Sequence, residues 1–123
     1  DEKHLDYAIS PDSGQTWSEP QTAFFAKQIR NPQMARFKDG FVMHGRSGSK
    51  GPEDIRGHFI LYSSRDGIRW DEGRYLQMQT AGAGAYSNNL LVHDPDGVAE
   101  RLLIQASHAY EKSKTNICHW WLR

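Results

Sequence analysis

The sequence predicts an all-β chain built from four-stranded antiparallel blades, and two observations carry that prediction. Short runs rich in Val, Ile, Leu, Tyr and Phe alternate with clusters of Gly, Pro, Asn and Asp, and no stretch sustains a 3.6-residue apolar period. A turn also recurs. SPDSGQTW at 10–17 and SSRDGIRW at 63–70 place Ser10, Gly14 and Trp17 against Ser63, Gly67 and Trp70 at a constant offset of 53. A repeat of about 40–50 residues holding four strands is the pattern of a propeller blade.

The strands are expected at 5–10 (LDYAIS), 33–38 (QMARFK), 41–46 (FVMHGR), 57–63 (GHFILYS), 85–92 (AYSNNLLV), 101–107 (RLLIQAS) and 116–122 (NICHWWL), with a weaker candidate at 74–79 (RYLQMQ). Lys38-Asp39-Gly40 joins two of these runs as a hairpin, because Asp and Gly tolerate positive φ. Pro95-Asp96-Gly97 makes a longer hairpin connection. On this division residues 1–123 form one partial propeller segment. It holds the end of one blade, a complete blade at about 31–79 and most of another at about 80–123. A propeller closes with at least about four blades, so two to three blades imply that the remaining blades belong to a longer parent chain.

Composition narrows the function classes. Lys+Arg and Asp+Glu number 15 each, without the basic excess of a general nucleic-acid binder. No apolar run reaches the roughly 20 residues of a membrane-spanning helix. The opening DEKHLDYA is charged, without the pattern of a signal peptide, and the chain reads as a processed product or an excised piece. Cys118 is the single cysteine. It excludes an intramolecular disulfide and reads as a small packed hydrophobe. The six histidines show no HExxH or Cys/His spacing, so neither a metal nor a cofactor is expected.

The recurring turn has a local chemistry. SPDSGQTW matches the Asp-box pattern Ser-x-Asp-x-Gly-x-Thr-Trp. Asp12 accepts from turn N–H groups, Gly14 takes positive φ, and Ser10 bonds the backbone. Trp17 is expected to fold back as an apolar plug between strands. In the second copy Arg65 and Arg69 stand where the acid and the Thr belong, and Asp66 is placed to cap from the next position. The turn is read as a folding device rather than a cation loop, which needs more ligands.

Asp-boxes at blade spacing resemble the sialidase (neuraminidase) superfamily and its BNR-repeat relatives, and the resemblance extends over roughly residues 5–107. In IRGHFILYSSRDGIRW, Arg56 stands where those enzymes carry the last Arg of a carboxylate clamp, on a strand entering an Asp-box. In AGAGAYSNNLLV, Tyr86 stands in the place of the nucleophilic Tyr, 30 residues after Arg56. In GVAERLLIQAS, Gln105 stands where the family has a Glu bracing an Arg, 19 residues beyond Tyr86. An amide braces an Arg less strongly, because the charge assistance is lost.

The resemblance implies a retaining exo-hydrolase of a carboxylate-bearing sugar such as sialic acid, in a secreted or periplasmic setting. Tyr86 would be the nucleophile, and Arg56, Gln105 and Arg46 would contact substrate. A guanidinium fork suits a carboxylate, and sialidases use Tyr instead of a second carboxylate. The family's acid/base Asp, its first two clamp arginines and the Glu that activates the Tyr would lie upstream, so the segment alone is expected to be inactive. Arg30, Arg46 and His44, near strand ends, are candidates for the same mouth. The alternative is a non-catalytic BNR propeller that binds glycans or acts as a scaffold.

Overall fold

A computed structural model of the chain describes residues 3–48, 57–79, 86–97, 99–111 and 114–123. The described residues are all-β, without a helix. Nine strands form three antiparallel sheets of two, four and three strands. The first sheet pairs β1 (His4–Tyr7) with β2 (Gln21–Phe24). The second runs in chain order through β3 (Arg30–Phe37), β4 (Gly40–Arg46), β5 (Phe59–Ser64) and β6 (Arg74–Gln77). The third runs β7 (Ser87–His93), β8 (Glu100–Glu111) and β9 (Lys114–Leu122). The three sheets follow one another along the chain, at 4–24, 30–77 and 87–122.

The four-stranded sheet is the middle layer, and its sequence shows why. Half-buried strands alternate apolar and polar residues, whereas strands covered on both faces read as continuous apolar runs. In β5, Phe59, Ile60, Leu61 and Tyr62 are all buried. Phe59 and Leu61 join Val42, Leu102, Ile104 and Ala106 in a core shared with the third sheet. Ile60 and Tyr62 face the opposite way, into a second core with Met43, Ile29, Ala23 and Phe25. Residues 102–106 of the third sheet alternate. Leu102, Ile104 and Ala106 of β8 are buried on the inner face, and Gln105 between them is exposed.

Both copies of the recurring turn fold as the local chemistry requires. Asp12 Oδ1 accepts from Thr16 N–H at 2.8 Å, and Oδ2 accepts from the Thr16 hydroxyl at 2.8 Å. Ser10 Oγ accepts from Gly14 N–H at 2.6 Å, and Gly14 has φ of 93°. The Thr16 backbone donor, then its hydroxyl, holds the Asp12 carboxyl below the usual carboxylate range. In the second copy Asp66 takes the acid's role, with Oδ1 accepting from Ile68 and Arg69 N–H at 2.9 and 2.8 Å. Its pKa is likewise lowered, first by the Arg69 N–H and then by the Ile68 N–H. Arg69 replaces Thr16 by donating Nε–H to Asp66 Oδ2 at 2.8 Å.

The structure corrects the alignment of the two turns. Ser64, not Ser63, is the counterpart of Ser10, since Ser64 Oγ accepts from Gly67 N–H at 2.9 Å and donates to Asp66. The second turn is therefore one residue shorter between its serine and its glycine. Ser63 instead bonds Asp71, which accepts its N–H at 3.1 Å and its hydroxyl at 2.6 Å.

Three further expectations need revision. Trp17 is 64% exposed and plugs nothing, whereas Trp70 packs on Phe25 at 6.2 Å between ring centroids. The difference is tertiary: the two-stranded sheet covers Trp70, and no described element covers Trp17. Strand β2, in QTAFF, falls outside the expected strands, because its single buried residue, Ala23, leaves no period to read. Strand β1 ends at Tyr7, where the first turn begins to direct the backbone.

Gly73 sits at φ of 64° beside Tyr62, and a Cβ there would lie 2.6 Å from Tyr62 Cζ. Tyr62 is fully buried, donating its hydroxyl to Lys27 O at 2.7 Å and accepting from Lys27 N–H at 2.9 Å. Gly73→Ala should therefore cost about 2–4 kcal/mol, combining overpacking with an L-residue at positive φ. Urea unfolding checks this, and a loss below about 1 kcal/mol would show that the Tyr62 ring yields freely.

Candidate functional site

The candidate site lies at one end of the second and third sheets, away from the second Asp-box. Pairing sets this polarity. Phe41 of β4 faces Ser64 at the box end, and Arg46 faces Phe59 at the other. Arg46 closes β4, Arg30 opens β3 opposite it, and Tyr86 immediately precedes β7. Arg46 and Tyr86 meet directly: the guanidinium carbon lies 4.8 Å from the centroid of the Tyr86 ring. This is cation–π distance. Tyr86 is 63% exposed.

Arg46 is held in place by a defect in the sheet. The β3–β4 register shifts between Arg30 and Gln33, and within that bulge Asn31 takes φ of 50°. Asn is among the few residues that accept this left-handed conformation. Its side-chain Oδ1 accepts from Arg46 Nε–H at 2.9 Å. A β-bulge re-aims a side chain, and here it turns Asn31 onto the guanidinium.

Gln105 lies on β8, paired with Asn88 of β7 two residues beyond Tyr86, and with His119 of β9. The expectation that it lies on the strand paired to that of Tyr86 therefore holds. Its side chain is on the outer face of the third sheet and lines two shallow grooves. One of these is also lined by Tyr86, Asn88, Ser107 and Ile117. The exposed face of Gln105 thus adjoins Tyr86 through a shared groove. Arg56 lies outside the described residues.

His44 departs from expectation. It does not line the mouth but is wholly buried between the second and third sheets. Its Nε2 accepts from Asn89 Nδ2 at 3.0 Å, and Nδ1–H donates to Ser87 Oγ at 2.9 Å. The Asn89 donor thereby assigns the proton to Nδ1. Burial pushes the imidazole pKa down from 6.5 to about 4, so the ring is neutral at neutral pH. A polar residue in the apolar run FVMHG is the sequence signal for such a bridge, but the run names neither partner.

Three other buried polar side chains, Gln79, His58 and Ser47, were not foreseen. Gln79 donates Nε2–H to Ser107 O at 3.3 Å and accepts Ala109 N–H on Oε1 at 2.7 Å. His58 is fully buried, and its Nδ1 accepts from Gln79 N–H at 2.7 Å. Ser47 Oγ accepts from the N–H groups of Gly57 and His58, each at 3.1 Å. Neither QMQT nor SGS reads as a site, because amides and hydroxyls are common at strand ends.

The tryptophan pair near the end of the chain divides as the alternation of a strand dictates. Trp120 faces inward and stacks on Phe59 at 4.8 Å, with 24° between the rings. Trp121 faces outward beside Arg101, whose guanidinium carbon lies 5.6 Å from the ring centroid. Cys118 is half-buried and accepts a contact from Gln77 Nε2 at 3.6 Å. Among the described residues no group of three or more His, Cys, Asp or Glu is placed to hold a metal ion, and no helix is long and apolar enough to cross a membrane.

Comparison with protein-family models, with curated proteins and with solved structures finds no match to this chain.

Proposed function

We propose that the three sheets are blades of a sialidase-like propeller, and that the chain supplies the nucleophile side of a site for a carboxylate-bearing sugar. The observation that supports this most is the exposed Tyr86 ring lying under the Arg46 guanidinium. A tyrosyl oxygen is suited to attack an anomeric carbon that already carries a carboxylate, because a neutral nucleophile meets less repulsion than an anionic one. The bond from anomeric carbon to tyrosyl oxygen forms as the aglycone departs and the phenolic proton passes to the Glu that the resemblance places upstream, and water later cleaves that bond with retention. Arg46, and Arg56 by the resemblance, would bind the substrate carboxylate through charge-assisted bonds. The acid/base group that protonates the aglycone would come from the remaining blades of the parent chain.

The test uses a parent chain carrying this segment. Tyr86→Phe should lower turnover of an aryl sialoside by about a thousandfold or more, since the covalent route loses its nucleophile, while KM changes little. Arg46→Leu should instead raise KM, because a cation facing the carboxylate is lost. A neutral aryl glycoside serves as control and should show neither effect. Wild-type turnover in Tyr86→Phe removes the nucleophile assignment.

One observation favours the second reading, a propeller that binds glycans without cleaving them. Gln105 cannot give the charged brace expected of a Glu, and it lines open grooves together with Asn88. A parent inert on all sialosides but showing chemical-shift changes at Tyr86 and Gln105 with added sialic acid would select this reading.

A further inference from the structure

We propose that His44 and Gln79 are positioning residues for Tyr86, one fixing the chain after it and the other the strand edge before it. The catalytic consequence rests on the reading of Tyr86 as the nucleophile, but the positioning itself does not.

Tyr86 lies where β7 begins along the edge of β8. Ser87 faces Ala106, and among the described residues the last backbone bond of this edge runs from Ser107 N–H to Tyr86 O at 3.1 Å. Beyond it the edge of β8 still presents Ser107 O and Ala109 N–H. The Gln79 carboxamide satisfies both, as described above, and so takes the place that two further residues of a strand would occupy. A carboxamide carries one acceptor and an N–H donor in one plane, like a peptide unit, and can complete a ladder in this way. Gln79 is only 2% exposed, and its own N–H is held by the buried His58, so the carboxamide is fixed at both ends.

On the other side of Tyr86, His44 reaches across from β4 to the first and third residues of β7. Ser87 and Asn89 point inward on alternate positions of the strand, and the imidazole bonds both. His44 stands two residues before Arg46 on the same strand. One short segment of β4 therefore carries both the guanidinium over the Tyr86 ring and the imidazole that holds the residues following Tyr86. A shift of β7 relative to β4 would break these contacts together. Leaving a buried imidazole or amide unpaired costs far more than the bond itself contributes, and this fixes the register of the two strands.

The signature is the Arg46 Nε–H resonance of the 123-residue chain. The Tyr86 ring current displaces it upfield, and Tyr86→Leu, which removes the ring, defines the full displacement. Gln79→Leu and the pair Ser87→Ala/Asn89→Leu should each cut the displacement by about half or more, since a guanidinium more than about 6 Å from the ring centroid leaves the contact. The amide resonances of the two cores should stay in place. Undiminished displacement in both variants overturns the proposal. Ser87→Ala alone, which removes one oxygen from a half-buried side chain, keeps the measurement decisive where the larger changes unfold the chain. In a sialoside-cleaving parent, Gln79→Leu should lower kcat about tenfold or more with KM within about twofold, as expected of a displaced reacting group. An unchanged kcat beside a lost displacement would remove Tyr86 from the chemistry, while leaving its positioning by Gln79 intact.

Discussion

Phe59→Ala should remove about 3–5 kcal/mol of folding stability, the usual cost of emptying a large aromatic site in a core. Phe59 is fully buried at the start of β5, an inner strand of the middle sheet. It stacks on Trp120 of the third sheet and meets the His44 ring edge-on at 5.8 Å and 61°. The ring thus joins the core between two sheets and also walls the buried imidazole. Folded domains are stable by only about 5–15 kcal/mol, so this substitution should consume a large part of the margin. Urea titration checks it: the midpoint should fall sharply with the slope unchanged. Phe24→Ala, at a ring 77% exposed, is the control and should stay within about 0.5 kcal/mol of the parent. Equal losses in the two variants would mean that the sheets do not share a core at Phe59.

Acid should destabilise the fold through His44 well before the carboxylates respond. The pKa of the folded imidazole is pushed down to about 4 by burial, from an ordinary value of 6.5. Above pH 6.5 the ring is neutral in both states and contributes no pH dependence. As pH falls below 6.5 the unfolded chain takes up a proton that the folded chain refuses, and stability declines until about pH 4. Between pH 7.5 and 4.5 the expected loss is roughly 2–3 kcal/mol. The carboxyls of Asp12, Asp66 and Asp71 have lowered pKa values, so their contribution is present above 3.8 and is lost only below it. The window from 6.5 to 4 can therefore be attributed to His44 by comparison with His44→Gln. That variant should lose roughly 2–3 kcal/mol less than the parent over the same interval. Equal losses in parent and variant would show that the imidazole titrates freely.

Much of this fold is written in local patterns. Apolar runs bounded by Gly, Pro, Asn and Asp are determined over short stretches of chain, as is the place of the Lys38-Asp39-Gly40 hairpin, although its positive φ, 51°, falls on Lys38 and not on Asp39 or Gly40 as expected. The Asp-box is similarly local, since Asp12 and Asp66 bond donors within four residues of themselves. For this reason the all-β class, the division into three groups of strands and the character of both turns were legible. The one-residue difference between the boxes was not, because two overlapping serines, Ser63 and Ser64, fit the pattern and only hydrogen bonding separates them.

What the sequence by itself determined is the described strands other than β2, the turn chemistry and the placing of Tyr86 at the start of a strand run, 85–92, next to that of Gln105. Those features depend on contacts near in sequence or on alternation within a strand. Tertiary structure alone decided which tryptophan is covered, Trp70 and Trp120 being packed while Trp17 and Trp121 face outward. It also brought Arg46 onto Tyr86 across 40 residues and buried His44 against Ser87 and Asn89. Whether a Trp plugs a core or a His lines a mouth depends on what the neighbouring sheet places over it. That is fixed by the packing of one layer on another, a long-range property that no short window of sequence contains.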